Sequence, residues 1–248
     1  MMFRFFRQIR QKLLTENKLS KYILYALGEI VLVVIGILIA LQINTWNEGR
    51  ENDEYQRELL GEIRLSLQKD IDHNTNTALR WIDRFLAHGD TVLMLYGTPN
   101  DRMDTVNKHL ALMLRSPDFA YNTGAYQTLK SNGLERITNK NLREEIITFY
   151  DFQLPRIDRF IVEITRGNNQ RTLALIDRLY VHRKVVEPDG PVVLVQEGKE
   201  GILQDPDLLR LINVKRLVGL NAKNRILSIL KEMEDLQAAI SHELNIDK

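Results

Sequence analysis

The chain contains no cysteine, which excludes disulfides and thiolate-bound metals. Six prolines and thirteen glycines are few breakers for 248 residues. Leu, Ile, Glu, Arg and Lys are plentiful instead, a composition that suits helices. Neither sign of charge dominates: Lys and Arg number 34 against 33 for Asp and Glu, a net +1. Nucleic acid therefore finds no electrostatic support. Nucleophile elbow, phosphate loop, H-E-x-x-H and dinucleotide glycine fingerprint are all missing. No pattern requires a cofactor, no small-molecule substrate is identified, and the expectation is that the protein is not an enzyme.

What the chain does have is YILYALGEIVLVVIGILIALQI, residues 22–43, interrupted by one carboxylate, Glu29. At ~1.5 Å rise per residue this run spans about 33 Å as a helix, against a bilayer hydrocarbon core of ~30 Å. A cleaved secretory signal has an apolar region of roughly 7–15 residues and a small-residue exit. Here the run is longer and LQINTWNEG offers no such exit, so a retained signal anchor is expected. Arg4, Arg7, Arg10, Lys12, Lys18 and Lys21 precede it, opposed only by Glu16, whereas acidic residues outnumber Arg50 and Arg57 after it. The bias toward basic residues in cytoplasmic flanks puts the N-terminus inside.

Met2, Phe5, Phe6, Ile9 and Leu13 fall on one helical face, with basic residues around the rest. Such an arm lies in the headgroup layer, where Arg4, Arg7, Arg10, Lys12, Lys18 and Lys21 meet anionic lipid. The simpler alternative is a basic topology signal. The expected organisation is a cytoplasmic amphipathic segment over 1–20, a transmembrane helix over 21–45 and a periplasmic α-helical domain over 46–248.

Beyond the span, Leu60, Ile63, Leu67, Ile71, Ala78, Ile82, Phe85, Val92 and Tyr96 recur near a 3.6 period. They predict one helix running on from the span until Gly97, Thr98 and Pro99 stop it. A second helix is predicted over 101–114, and Thr123 is expected to cap a short one closing at Asn132 and Gly133. Thr138 or Asn139 starts the next, with a break or kink at Pro155. Asn168 falls near the apolar stripe, which implies a bend or a buried polar contact. Residues 184–204 read as a loop or small hairpin. Asp205 and Pro206 form an N-cap and first helical position, opening a long last helix with Ile226, Leu230, Met233, Ile240 and Leu244 on one face. The fold class is all-α: one transmembrane helix, then an extracytoplasmic bundle of long helices with one short irregular or hairpin insertion.

The block FFRQIRQKLLTENKLSKYILYALGEIVLVVIGILIALQINTWNE, with its FFRxIRxKLL opening, YAxGEI entry and VVIGILIALQINxWNE exit, resembles a family of small membrane proteins of Bacteroidota catalogued as a domain of unknown function. TGAYQTLKSNGLERITNKNLREEIITFYD is similar to the soluble half of that family. The resemblance implies an inner-membrane protein of a Gram-negative cell with a periplasmic helical domain, and it implies no activity.

At 100° per residue, Tyr22, Tyr25, Glu29, Gly36, Ala40 and Asn47 share one line of the span. Gly36 and Ala40 form a small-xxx-small pair that lets helices approach closely. Tyr25, Glu29, Gly36 and Ala40 are therefore read as a helix–helix interface, for a homo-oligomer or another membrane helix. Alternatively Glu29 snorkels toward Lys21. As a carboxylate near mid-span it also admits a proton relay beside a multi-span partner, the arrangement of flagellar stator and biopolymer-transport subunits. Asp70 and His73, one turn apart, lack the second motif a bundle metal site needs. His88, His109, His182 and His242 look isolated. Tyr121, Asn122, Thr123 and Tyr126 line a ligand groove or fill the core. The functional expectation is an interaction or scaffold module that self-associates, with a sensor signalling through a partner as the alternative.

Overall fold

Apolar positions three and four residues apart need a second helix to cover them, and a computed structural model of the chain shows how they find one. It describes residues 19–99, 103–113, 117–186 and 192–245. The basic arm before residue 19 lies outside the described residues, as do the side chain of Lys21 and the turn ends at 100–102 and 114–116. The chain divides into two compact units, one reaching to Gln56 and one starting at Arg57.

The first unit is helical from Leu19, the start of α1 (Leu19–His73). Its apolar side chains are exposed on every face, Leu24, Leu32, Ile37 and Leu41 among them. Just past the apolar run the helix carries pairs four residues apart. Asn44 donates to Glu48 at 2.6 Å, Asn47 to Glu51 at 2.8 Å, and Arg50 faces Glu54 at 3.7 Å. Such pairs support a solvated helix where no packing does.

In the second unit the rest of α1 is followed by a widened turn, Asn74–Leu79, and α2 (Arg80–Leu95). Then come α3 (Met103–Met113), α4 (Gly124–Asn132), a 3₁₀ turn Leu134–Arg136 and α5 (Lys140–Thr148). A second widened turn, Phe149–Gln153, leads into α6 (Leu154–Leu179). Strands β1 (Tyr180–Val186) and β2 (Val192–Gly198) form an antiparallel hairpin, and a 3₁₀ turn Ile202–Gln204 precedes α7 (Pro206–Leu244).

Helix α7 is the spine. On one side α1 and α2 run antiparallel to it: Arg57 reaches Leu244 O, Gln237 reaches Arg64 O, Lys223 pairs with Asp83 and Arg216 with Asp90. On the other side α6 does the same, through Arg225 over the Phe160 ring, Lys215 to Asn169 and Arg178 to Asp207. The core between them holds Leu60, Ile63, Leu67, Ile82, Phe85, Ile146, Ile226, Met233 and Ile240, all buried. The all-α expectation holds for the described residues, and the short insertion is a hairpin.

Both widened turns have local causes. Proline at 155 has no N–H for a regular helical bond and would crowd the Asp151 carbonyl. The wide turn before it absorbs that defect, so the helix continues where a break or kink was expected. At the other turn Asn74 inserts its side chain into the ladder, donating Nδ2–H to Asp70 O at 2.8 Å. The expected single helix forms as one helical run to Leu95, widened by one turn there. The caps at Asn139 and Asp205 form as expected, accepting from Leu142 N and Asp207 N. Thr123 occupies the cap position of α4 without a side-chain bond; Asn122 Oδ1 accepts from Gly124 N at 2.7 Å instead. The short polar side chain one residue earlier makes the tighter turn.

Candidate functional site

The line Tyr25, Glu29, Gly36 and Ala40 lies within α1. A side chain added at Gly36 would meet nothing within 4 Å, and Ala40 is exposed. At Gly36 and Ala40 the helix surface is thus open within its unit.

The other sequence-derived candidate, the segment around Tyr121, becomes a built structure. Residues 117–123 form no helix or strand of their own, and three side chains at four-residue spacing, on α1 and the widened turn after it, hold their backbone. Asn74 donates to Ala120 O at 2.7 Å and accepts from Ala120 N at 3.4 Å; Asp70 Oδ2 accepts from Asn122 N at 2.9 Å; Ser66 Oγ donates to Asn122 O at 3.4 Å. The helix does with side chains what a neighbouring strand would do with its backbone. Asp70 is therefore a backbone acceptor, and among the described residues no group of three or more His, Asp or Glu is placed to hold a metal.

Burial of Asp70 raises its carboxyl above 3.8, against the lowering effects of the Asn122 N–H and of His73. Ionisation is thus less favourable in the folded chain than in the unfolded one. That contribution to stability is fully present below pH 3.8 and is lost as pH rises through the folded value. Asp70→Asn keeps an oxygen for Asn122 N–H without the charge. It should raise the unfolding midpoint at pH 7, with the gain over wild type vanishing as pH falls below 3.8. A gain that persists or grows in acid would show the carboxylate is not penalised.

Under this segment Tyr126 and Tyr150 stack with ring centroids 4.6 Å apart, with both hydroxyls buried. Burial pushes both phenols up, with Asp151 adding to the effect at Tyr126 and Asp70 at Tyr150. Of the two readings, Tyr126 fills the core, whereas Tyr121 stays half-buried beside Asp158, burial and that carboxylate raising its hydroxyl. An open groove of about 470 Å³ adjoins, between Pro117, Phe119 and the α6 residues Asp158, Ile161, Thr165 and Asn169. Behind Asn169 stands Lys215, buried, its ammonium pushed down by desolvation and donating to Asn169 Oδ1 at 3.2 Å. A second groove, of about 600 Å³, presents Glu144, Glu145, Glu232 and Asp235, and so suits cationic rather than anionic groups.

One pair went unseen in the sequence. His88 and His109, expected to be isolated, meet with their Nδ1 atoms 2.7 Å apart. Next to His88, a Cβ at Gly89 would lie 2.9 Å from Met113 Cε and 3.1 Å from Arg216 Cγ, so both side chains would have to shift to admit one.

Residues 29–159 match the model of a family of unknown function, DUF6090. No curated protein and no solved structure matches the chain.

Proposed function

We infer that this chain, which belongs to that family, is a single-pass inner-membrane anchor whose helical domain lies in the periplasm and acts through protein contacts rather than by catalysis. One observation carries the reading. The helical run Ala26–Leu95 contains an 18-residue window of mean hydropathy 2.6, none of it buried within the protein. A core helix of a soluble fold would be covered; this one leaves Ile30 to Ile43 bare in a chain whose second unit buries its own apolar residues. Trp46, with Arg50 6.0 Å from its ring centroid, stands where the apolar run gives way to paired polar residues, as aromatic side chains do at a bilayer surface.

Orientation follows from the basic flank before the span, and the seam at Glu29, Gly36 and Ala40 is the surface for self-association or a second membrane helix. The resemblance of the N-terminal block to single-pass proteins of Bacteroidota supports the same placement. A sensor role is the alternative, its output carried by a partner.

The test is topological. A reporter active only in the periplasm, fused after Lys248, should work, and one active only in the cytoplasm should fail there. The protein should also stay with the membrane after alkaline extraction. The reverse reporter pattern would overturn the orientation, and release of a shortened chain by signal peptidase would overturn the anchor.

A further inference from the structure

We propose that the cavity where α2 meets α3 binds a small monocarboxylic acid with a compact aromatic or branched apolar body, its carboxylate held by Arg84. The cavity measures about 250 Å³ and is bordered by Trp81, Arg84, Phe85, His88 and Leu112. Its walls are held in place. Trp81 and Phe85 stack with ring centroids 5.4 Å apart and planes 28° from parallel. Phe85 is backed by Gly219, where a Cβ would come 2.8 Å from its Cε1. The His88 ring is fixed through its Nδ1, 2.7 Å from Nδ1 of His109. A ligand therefore meets walls that are already ordered, which lowers the entropy cost of binding.

The lining selects the ligand. Trp81, Phe85 and Leu112 carry no charge, and the Nδ1 of His88 is taken by His109. Arg84 is the fixed charge on the lining, and among the described residues it makes no ion pair or hydrogen bond. The acids nearest to it on α2 are committed elsewhere, Asp83 to Lys223 and Asp90 to Arg216. A guanidinium holds a carboxylate by two parallel N–H···O bonds. It balances one negative charge, whereas a phosphate monoester carries ~1.5–2. An apolar cavity with a single orienting polar group is a common form of small-molecule site. Size sets the apolar body. Benzene occupies an apolar cavity of ~150 Å³, so about 250 Å³ takes in a ring with a short alkyl arm and leaves most of a long fatty chain outside. Anchoring and self-association through the span use neither α2 nor α3, so this site stands apart from them.

The probe is 3-phenylpropionate, titrated at neutral pH into the full-length chain in nonionic detergent micelles, with the signal of empty micelles subtracted. Saturable binding at one site per chain is expected. Trp81 is one of two tryptophans in the chain and borders the cavity, so in a Trp46→Phe background its fluorescence should follow the same isotherm. The neutral isostere 3-phenylpropanamide and the cation 3-phenylpropylamine should bind ~10–100-fold more weakly, the difference that a hydrogen bond to a charged partner makes. Arg84→Gln should weaken the acid by a similar factor and remove the preference for acid over amide. Because Arg84 is exposed, the same substitution should leave amide binding and the unfolding midpoint nearly unchanged. Lys231→Gln, a cation outside the lining, should leave acid binding as it was. Lack of saturable binding to the wild-type chain would overturn the site, as would equal affinity for acid, amide and amine. Both are read without a variant of Arg84, so misfolding cannot mimic them. Unaltered acid affinity in Arg84→Gln, or saturation that leaves Trp81 fluorescence unmoved, would overturn it as well.

Discussion

Asn74→Ala is expected to lower the midpoint of thermal unfolding by about 5–15 °C, whereas Asn76→Ala in the same turn should shift it by no more than ~2 °C. Asn74 is fully buried and Asn76 exposed. The Asn74 amide makes three bonds, to Asp70 O, Ala120 O and Ala120 N. Alanine removes all three bonds and empties the buried space the amide filled. A hydrogen bond contributes about 0.5–1.5 kcal/mol net, so three lost together come to about 2–4 kcal/mol for the turn and the segment. For a unit of this size each kcal/mol moves the midpoint by ~2–4 °C. Calorimetry of the full chain in detergent checks it. Equal shifts for the two variants would mean that the widened turn is held by packing alone. A normal midpoint with faster proteolysis after residue 117 would mean that Asn74 secures the segment but not the fold.

The same turn shows where sequence reading stops. Caps and stops are local chemistry and were legible: Asn139 and Asp205 accept from the helices they open, and Gly97 takes φ 80° at the end of α2, where its N–H meets Leu203 O at 2.7 Å. The apolar repeat was legible too, because burial follows the 3.6 period on α1, α2 and α7 alike. The widening at Asn74 was not. The Asn74 amide that enters the ladder also holds a partner 46 residues away, and nothing in NTNTAL distinguishes a side chain that will insert from one that faces water. Pro155 signalled a break or kink, and the chain instead widens the turn before it, Phe149–Gln153, and stays helical. Residues 184–204 permitted a loop or a hairpin until the pairing from Tyr180 with Gly198 to Val186 with Val192 settled it.

The candidate sites divide along the same line. Asp70 and His73 are one turn apart in sequence, yet Asp70 is committed to the Asn122 backbone. His88 and His109 belong to separate helices, and nothing in the pattern of either helix says that the two rings meet. Helical periodicity says which face of a helix is covered, not which residue of another helix covers it.

Disruption of the span's seam is the largest functional effect expected. If Gly36 and Ala40 form a contact between copies, Gly36→Ile places a branched side chain where two backbones approach. Overfilling a packed contact costs about 1–3 kcal/mol, or roughly 5–150-fold in the association constant. Because the chain contains no cysteine, the contact is directly mappable. Single replacements Gly36→Cys and Ala40→Cys should crosslink between copies in native membranes. Val34→Cys and Leu38→Cys, on other faces at 100° per residue, should not. Adding Gly36→Ile to the Ala40→Cys chain should remove most of the crosslinked product. Glu29→Gln keeps the size and hydrogen bonding of the side chain and loses only the charge, so it should leave crosslinking at Ala40→Cys nearly unchanged. Uniform crosslinking on all faces would defeat the seam as an interface. Crosslinking lost in Glu29→Gln but kept in Gly36→Ile would show that the carboxylate, not close packing, holds the copies together.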